Sequence, residues 1–477
     1  MRSSAPQHGE SFDALVIGAG LSGLAAGIRL AMSGQRVAIL EQHYLWGGLN
    51  SFYKRAGRLF DTGLHALTNY TPPKGAPKTS PLPRVLRQLR IKHSDLELGE
   101  QRHSLILSAG ECVKFSNDVE LLTDEIGRLF PAKRDAFATL VAEIDGLTFG
   151  EAPGPERSAR ALLDERFGEP LITDLLLLPT CYYGSAEPDD VPWGQFTILF
   201  KSIFIEGLAM PKNGIRPILD LLLKRLEDEG GLLCLKHPVD AVLTDASGAC
   251  AGVRVADGRE LYAPRVLSSA GWLETLGMVD REEVAPDFSH EGRLSFLETI
   301  VVTDAPPMKI DARLDAATAF FSDRERFEYR EPTADRADPL TGVISMPNNY
   351  AGKGDEPEGW FRVTIPASFP AFQGLDEDFY IAEKQRLSEA SMDTAVRLLG
   401  ADVRPREIQR DIFTPRTLEH YTKKRNGAIY GSPNKQLDGT TPVPGLHLIG
   451  TDQGFLGVVG AALSGISIAN QFALSAR

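Results

Sequence analysis

The sequence predicts an α/β fold in which a Rossmann-type dinucleotide-binding half is interleaved with an α+β half, and three observations carry that reading. A short apolar run, Phe12 to Ile17, breaks into GAGLSG at Gly18 to Gly23 and continues into a segment with helical spacing. A second glycine-rich element, GLHLIGTDQGFLGVVGAALSG, stands at the far end of the chain. Between them, helical stretches and short β-like pieces alternate over a length of 477 residues, too long for one ordinary core.

The first element reads as a βαβ unit. Leu21, Leu24, Ala25, Ile28 and Met32 share one helical face, Ser33-Gly34 ends the helix, and Arg36 to Leu40 forms the next apolar run. Gly18 permits the tight turn, Gly20 lets a pyrophosphate approach the backbone, and Gly23 allows close helix–strand packing. The helix opening, with Leu21 and Ser22, supplies unpaired N–H groups to phosphate, and Glu41, closing the second strand, is placed to accept ribose hydroxyls.

This unit serves NAD and FAD alike, so the flanks decide. Gly47-Gly48 gives a second loop that can touch the pyrophosphate, which suits a long, permanently held FAD. In the C-terminal element, Gly450, Gly454, Gly457 and Gly460 let backbone lie against a flat ring, and a helix beginning near Gly460 aims its positive end at a reduced flavin. Asp452 is assigned to the ribityl or phosphate region, with a turn-fixing role as the alternative.

The proline-rich stretch Thr71 to Pro83 marks a domain crossing, and Leu82 to Met210 reads as mostly helical around the loop FGEAPGPERSA. VDAVL, CAGVRV and RVLSSA are short strands, whereas SFLETIVV, GVISM and WFRVTI predict a second sheet. A strand at Gly445 to Ile449 and a helix from Ala461 to Leu474 close the chain.

A formal charge of −13 argues against nucleic acid and against electrostatic attachment to anionic lipid. No stretch reaches the roughly 18 uninterrupted apolar residues of a spanning helix. Cys112, Cys181, Cys234 and Cys250 have no ligand spacing, so no metal site or disulfide framework is indicated and all four are expected reduced and buried. The N-terminus lacks a secretory pattern, and a cytoplasmic location is expected, peripheral on the inner membrane surface if the substrate demands it. Oligomeric state is not legible.

Four segments carry a family resemblance: VIGAGLSGLAAGIRLAMSGQRVAILEQHYLWGGLNSFYKRAGRLFDTGLHAL, MPKNGIRPILDLLLKRLEDEGG, TPRTLEHYTKKRNGAIYG and PGLHLIGTDQGFLGVVGAALSGISIAN. Together they resemble the FAD-dependent phytoene desaturase, carotenoid isomerase and retinol saturase group within the amine-oxidase-like flavoproteins. The resemblance implies the two-domain architecture related to p-hydroxybenzoate hydroxylase, with FAD-domain parts at 1–72, 209–278 and 405–477 and substrate-domain parts at 73–208 and 279–404. It assigns FAD contacts to Gly18, Gly20, Gly23, Glu41, Gly47, Gly48, Val239, Asp452, Gly457, Val458, Val459 and Gly460. One departure is PKNG in place of the family's PKGG, which would hand a glycine-like backbone to Asn213.

The implied reaction is desaturation, saturation or cis–trans isomerisation of a long apolar polyene by hydride exchange with flavin N5. His65, in FDTGLH, is the candidate proton carrier, with a structural imidazole as the alternative, and Asp61 is read as turn-fixing. Tyr430 is placed on the flavin cavity or in plain packing. LITDLLLLP, Cys181-Tyr182-Tyr183 and Trp193 to Met210 are either cavity wall or core, and the last is expected to make any peripheral membrane contact. Two other functions remain open at this point: a flavin amine oxidase, and a non-catalytic prenyl-binding escort protein, against which the intact glycine motifs count.

Overall fold

The computed structural model describes residues 6–72, 80–147 and 157–475. The expected crossing at Thr71 to Pro83 and the FGEAPGPERSA loop fall largely outside them. Five short strands form a parallel sheet in the order Leu446–Leu448, Val266–Ser268, Ala14–Ile17, Val37–Glu41, Leu232–Leu235. Their apolar runs are continuous because helices cover one face of the sheet and the antiparallel strands Val239–Thr244, Cys250–Val255 and Glu260–Tyr262 cover the other, so both faces are buried. The helix Leu21–Met32 leaves the first strand through the glycine turn and ends at Ser33, as its sequence dictates. The C-terminal helix Gly457–Ser475 lies along it and begins three residues earlier than the spacing of apolar residues suggests, at Gly457.

A seven-stranded mixed sheet forms the other half, in the order Glu407–Phe413, Ser295–Thr303, Gly359–Ala367, Thr341–Ser345, Thr318–Ser322, Ser104–Ser108, Glu111–Phe115. Its period-two alternation sorts side chains cleanly. On the strand Ser295–Thr303, Leu297 and Val301 enter a core shared with the helix Glu377–Leu399. Phe296, Glu298, Ile300 and Val302 occupy the opposite face, where Ile300 and Val302 pack on Phe60 of the hairpin Phe52–Arg55 and Arg58–Asp61.

Leu82 to Met210 is mostly helical, with one addition: SLILSAGECVKF folds as a hairpin that completes the large sheet, turning at Ala109-Gly110, both with positive φ. Two expectations need correction. Cys112 is exposed, while the other three free cysteines are buried. The segment Trp193 to Met210 does not offer a membrane-binding face. Phe196, Phe200, Ile203 and Phe204 are fully buried along a helix continued by the π-helical turn Lys201–Ile205, and Phe200 packs on Phe137, Phe196 and Phe204. Among the described residues no helix is long and apolar enough to cross a membrane.

Asn213, the departure from the family pattern, does not carry the positive φ; Gly214 does, at 71°. Because Phe200 is core, Phe200→Ala is expected to lower the unfolding free energy by about 3–5 kcal/mol, read from urea denaturation.

Candidate functional site

The glycines of the first turn are fixed by contact. A Cβ on Gly18 (φ 93°) would stand 2.3 Å from Ser269 Oγ, and one on Gly23 would stand 1.9 Å from Gly18 O. Gly20 caps the following helix with no side chain bonded to its opening amides, and Leu21 and Ser22 are buried there. Beside this turn runs the second glycine loop: Gly47 N donates to Ala19 O at 2.8 Å, and a Cβ on Gly48 would meet Gly20 Cα at 3.2 Å. Two stretches of bare backbone thus lie against each other at a helix N-terminus, a cradle for an anionic pyrophosphate.

Glu41 ends the second strand almost buried, and its carboxylate accepts from Ala19 N at 2.7 Å and from His43 N at 2.9 Å. It therefore ties the glycine turn to the loop beyond the strand. The strand Val239–Thr244 begins nearby, since His237 N donates to Glu41 O at 2.8 Å.

The C-terminal element reaches the same place. A Cβ on Gly450 (φ 87°) would meet Ser22 Oγ at 3.0 Å, and Gly450 N donates to Ser464 Oγ. Gly457 opens the last helix with a positive φ of 69°, and a Cβ there would stand 3.3 Å from Thr68 Oγ1. Val458, Val459 and Gly460 follow it, buried.

Asp452 is 2% exposed. Its carboxylate accepts from Trp272 N at 2.7 Å and Ser432 N at 3.0 Å and faces Lys424 and Lys435 at 3.7 and 3.9 Å. Burial pushes this carboxyl up, but the two ammonium groups and the backbone donors together hold it below the usual carboxylate range. In this arrangement it fastens three chain segments to one another.

Thr68 belongs to the segment that follows the Arg58–Asp61 strand, and that segment also carries His65. Arg362, 4% exposed, donates from Nη1 to Leu64 O at 2.9 Å, from Nη2 to Thr62 O and from Nε to Glu298 Oε1, both at 2.5 Å. His65 Nε2 lies 3.6 Å from the same Glu298 oxygen, while its Nδ1 is buried without a partner among the described residues. Burial lowers the imidazole to about 4, outweighing the pull of Glu298 in the other direction, so His65 is neutral near pH 7. Asp61 accepts from Ile215 N at 3.2 Å and anchors the loop that holds Asn213 and Gly214.

Glu298 and Arg362 are buried charged neighbours of His65 that sequence reasoning passes over. Each is a single charge inside an otherwise apolar strand, SFLETIVV and WFRVTI, and that embedded charge is the signal that would find them. Tyr430 sits by the inward face of the sheet, its ring edge-on to Phe296 at 6.2 Å, but its hydroxyl donates to Tyr182 O and burial pushes its pKa up. It joins a packed aromatic cluster, with Tyr182 stacked on Phe296 at 5.9 Å and Tyr329 edge-on to Tyr182 at 5.1 Å.

The comparisons agree with this geometry. Residues 16–76 match the NAD(P)-binding Rossmann-like domain. Prolycopene isomerase 1 of an Oncidium hybrid cultivar is 21% identical over 98% of this chain and 84% of that protein. All-trans-retinol 13,14-reductase of Rattus norvegicus is 24% identical over 95% of this chain and 84% of that protein. Over nearly its whole length the chain is thus similar to prolycopene isomerases and retinol 13,14-reductases. These relatives are oxidoreductases and isomerases, and this homologue has the amine-oxidase-like fold: a putrescine oxidase mutant superposes with a TM-score of 0.65 at 17% identity, covering 98% of this chain and 100% of the other.

Behind Thr68, Asn69 Nδ2 donates at 2.7 Å to Glu206, whose carboxyl burial pushes up to about 7. The folded protein holds a proton there that the unfolded chain releases near pH 4.5, so this contribution to stability is present below about pH 4.5 and is lost as the pH rises through about 7. Glu206→Gln is expected to remove that decline, giving a higher thermal midpoint than the wild type at pH 8 and an equal one at pH 4, measured by calorimetry.

Proposed function

We propose that this homologue is an FAD-dependent oxidoreductase acting on a carbon–carbon unit of a long apolar polyene, by desaturation, saturation or cis–trans isomerisation. The reading rests above all on one observation: a Cβ on Gly457 would stand 3.3 Å from Thr68 Oγ1, on the very segment that carries His65, and one on Gly450 would stand 3.0 Å from Ser22 Oγ in the first glycine turn. A dinucleotide laid across Gly20 and Gly48 then has its far end directed to the buried His65–Glu298–Arg362 cluster.

The residues present fit FAD. The Gly20–Gly48 cradle has no side chain to obstruct a pyrophosphate, and Glu41 keeps lone pairs for ribose hydroxyls beyond the two amides it already serves. Bound there, FAD supplies two-electron hydride exchange with carbon. The protein supplies the rest. Phe296, Tyr182 and Tyr329 offer an aromatic wall to an apolar chain and exclude water from it. His65, neutral and with Nδ1 free of protein partners, takes or returns a proton at that atom, and Glu298 faces Nε2 to stabilise the charged imidazole while it lasts. Arg362 binds the Glu298 carboxylate through Nε and so fixes where it faces the imidazole. The relatives' names, a polyene isomerase and a polyene-alcohol reductase, support the same substrate class.

Purified protein is expected to be yellow with flavin absorbance, and extracts of polyene-producing cells expressing it are expected to show either a two-dalton change or a shift in retention at constant mass. A colourless protein would overturn the reading. Glu41→Ala is expected to release flavin on gel filtration. His65→Ala is expected to keep its flavin and turn over about a hundredfold more slowly. It should also lack the loss of rate that the wild type shows as the pH falls through about 4.

A further inference from the structure

Arg362 and Leu64 also line a cavity of about 320 Å³ that the chemistry above does not use. That size is within the range of small-molecule sites, roughly 300–1,000 Å³. Its lining is mixed: Phe52, Met210, Ile300 and Trp360 join Leu64 as apolar surface, interspersed with charged side chains. Its charged groups are unevenly satisfied. Asp61 is held by Ile215 N, Glu356 by Lys353 at 2.8 Å and by Asn348 Nδ2 at 2.9 Å, and Arg362 by Glu298.

Two further cations line it. Lys212 is exposed and makes no ion pair among the described residues, although its stem is seated: a Cβ on Gly352, a glycine with positive φ, would stand 2.8 Å from Lys212 Cε. Arg216 is half-exposed, lies over the Phe52 ring at 5.3 Å, and is paired loosely with Asp220 of its own helix at 3.5 Å, a solvent-exposed pair that a ligand carboxylate can compete with. An unpaired and a loosely paired cation on one cavity are notable on a chain of net charge −13.

We infer that this cavity binds an apolar monocarboxylic acid, its carboxylate between Lys212 and Arg216 and its chain against Phe52, Ile300 and Trp360. The apolar walls take up the chain at no polar cost, and the planar guanidinium and mobile ammonium together match a carboxylate. Leu64 closes the inner wall one residue before His65, which makes the occupant's chain a neighbour of the reactive cluster. That such an acid is turned over rests on the function proposed above; that it binds does not.

The test uses the full chain with its natural flavin content, titrated with cis-parinarate, a fluorescent conjugated fatty acid. Dodecanoate, dodecanol and methyl dodecanoate serve as competitors. Dodecanoate is expected to displace the probe at concentrations about tenfold lower than either neutral analogue. The double substitution Lys212→Glu, Arg216→Glu is expected to weaken dodecanoate at least about tenfold while leaving the methyl ester unchanged. Lys212→Ala alone, at an exposed position, should give a smaller loss in the same direction and guards against misfolding of the double variant. Equal displacement by acid, alcohol and ester, or unchanged dodecanoate affinity in the double variant, would overturn the inference. Flavin absorbance is read on the same samples: a colourless protein that still prefers the acid removes the proposed function and leaves this site standing, and a yellow protein indifferent to charge does the reverse.

Discussion

The contact on which the site depends is the one between the helix that opens the chain and the helix that closes it. A Cβ on Gly465 would stand 2.0 Å from Ser22 O, so the two backbones touch where any larger residue would hold them apart. Arg29 adds a two-pronged bond to Asn470, at 3.0 and 2.8 Å. This approach is what carries Gly450 onto Ser22 and sets the start of the last helix beside Thr68. Remove it, and the glycine turn is only a turn.

Arg362 performs the matching task between the halves. Its guanidinium engages two carbonyls of the His65 segment and one carboxylate of the large sheet, with nearly all of its surface out of water. A buried ion pair contributes little net stability, because desolvation offsets attraction. What it supplies is a fixed separation: the imidazole and Glu298 are held in register by a rigid, planar donor rather than by side-chain packing alone.

The dinucleotide half was legible because its requirements fall on backbone. Only glycine fits at Gly18, Gly23 and Gly47, so the letters themselves report the geometry. The other half was less legible. His65 stands out in its motif, but the Glu298 and Arg362 that surround it come from strands far along the chain, and no local spacing links them to it. The hairpin at Ser104–Phe115 was hidden among helices because its turn, Ala109-Gly110, lacks the usual asparagine or aspartate. Trp193 to Met210 misled for a different reason: an aromatic-rich helix looks the same in sequence whether it faces lipid or a core formed by Phe115, Phe137 and Phe167.

The order of strands in the parallel sheet also bears on how the molecule comes into being. The strand Ala14–Ile17 pairs with Val266–Ser268, which pairs in turn with the edge strand Leu446–Leu448, so both pairings join segments far apart in sequence. Until the latest of these segments has been synthesised, the growing chain carries an apolar sheet with an open flank and a glycine turn lacking its covering helix. Completion of the sheet is therefore a late event, and a chain without that last segment would have neither a closed flank nor a covered turn.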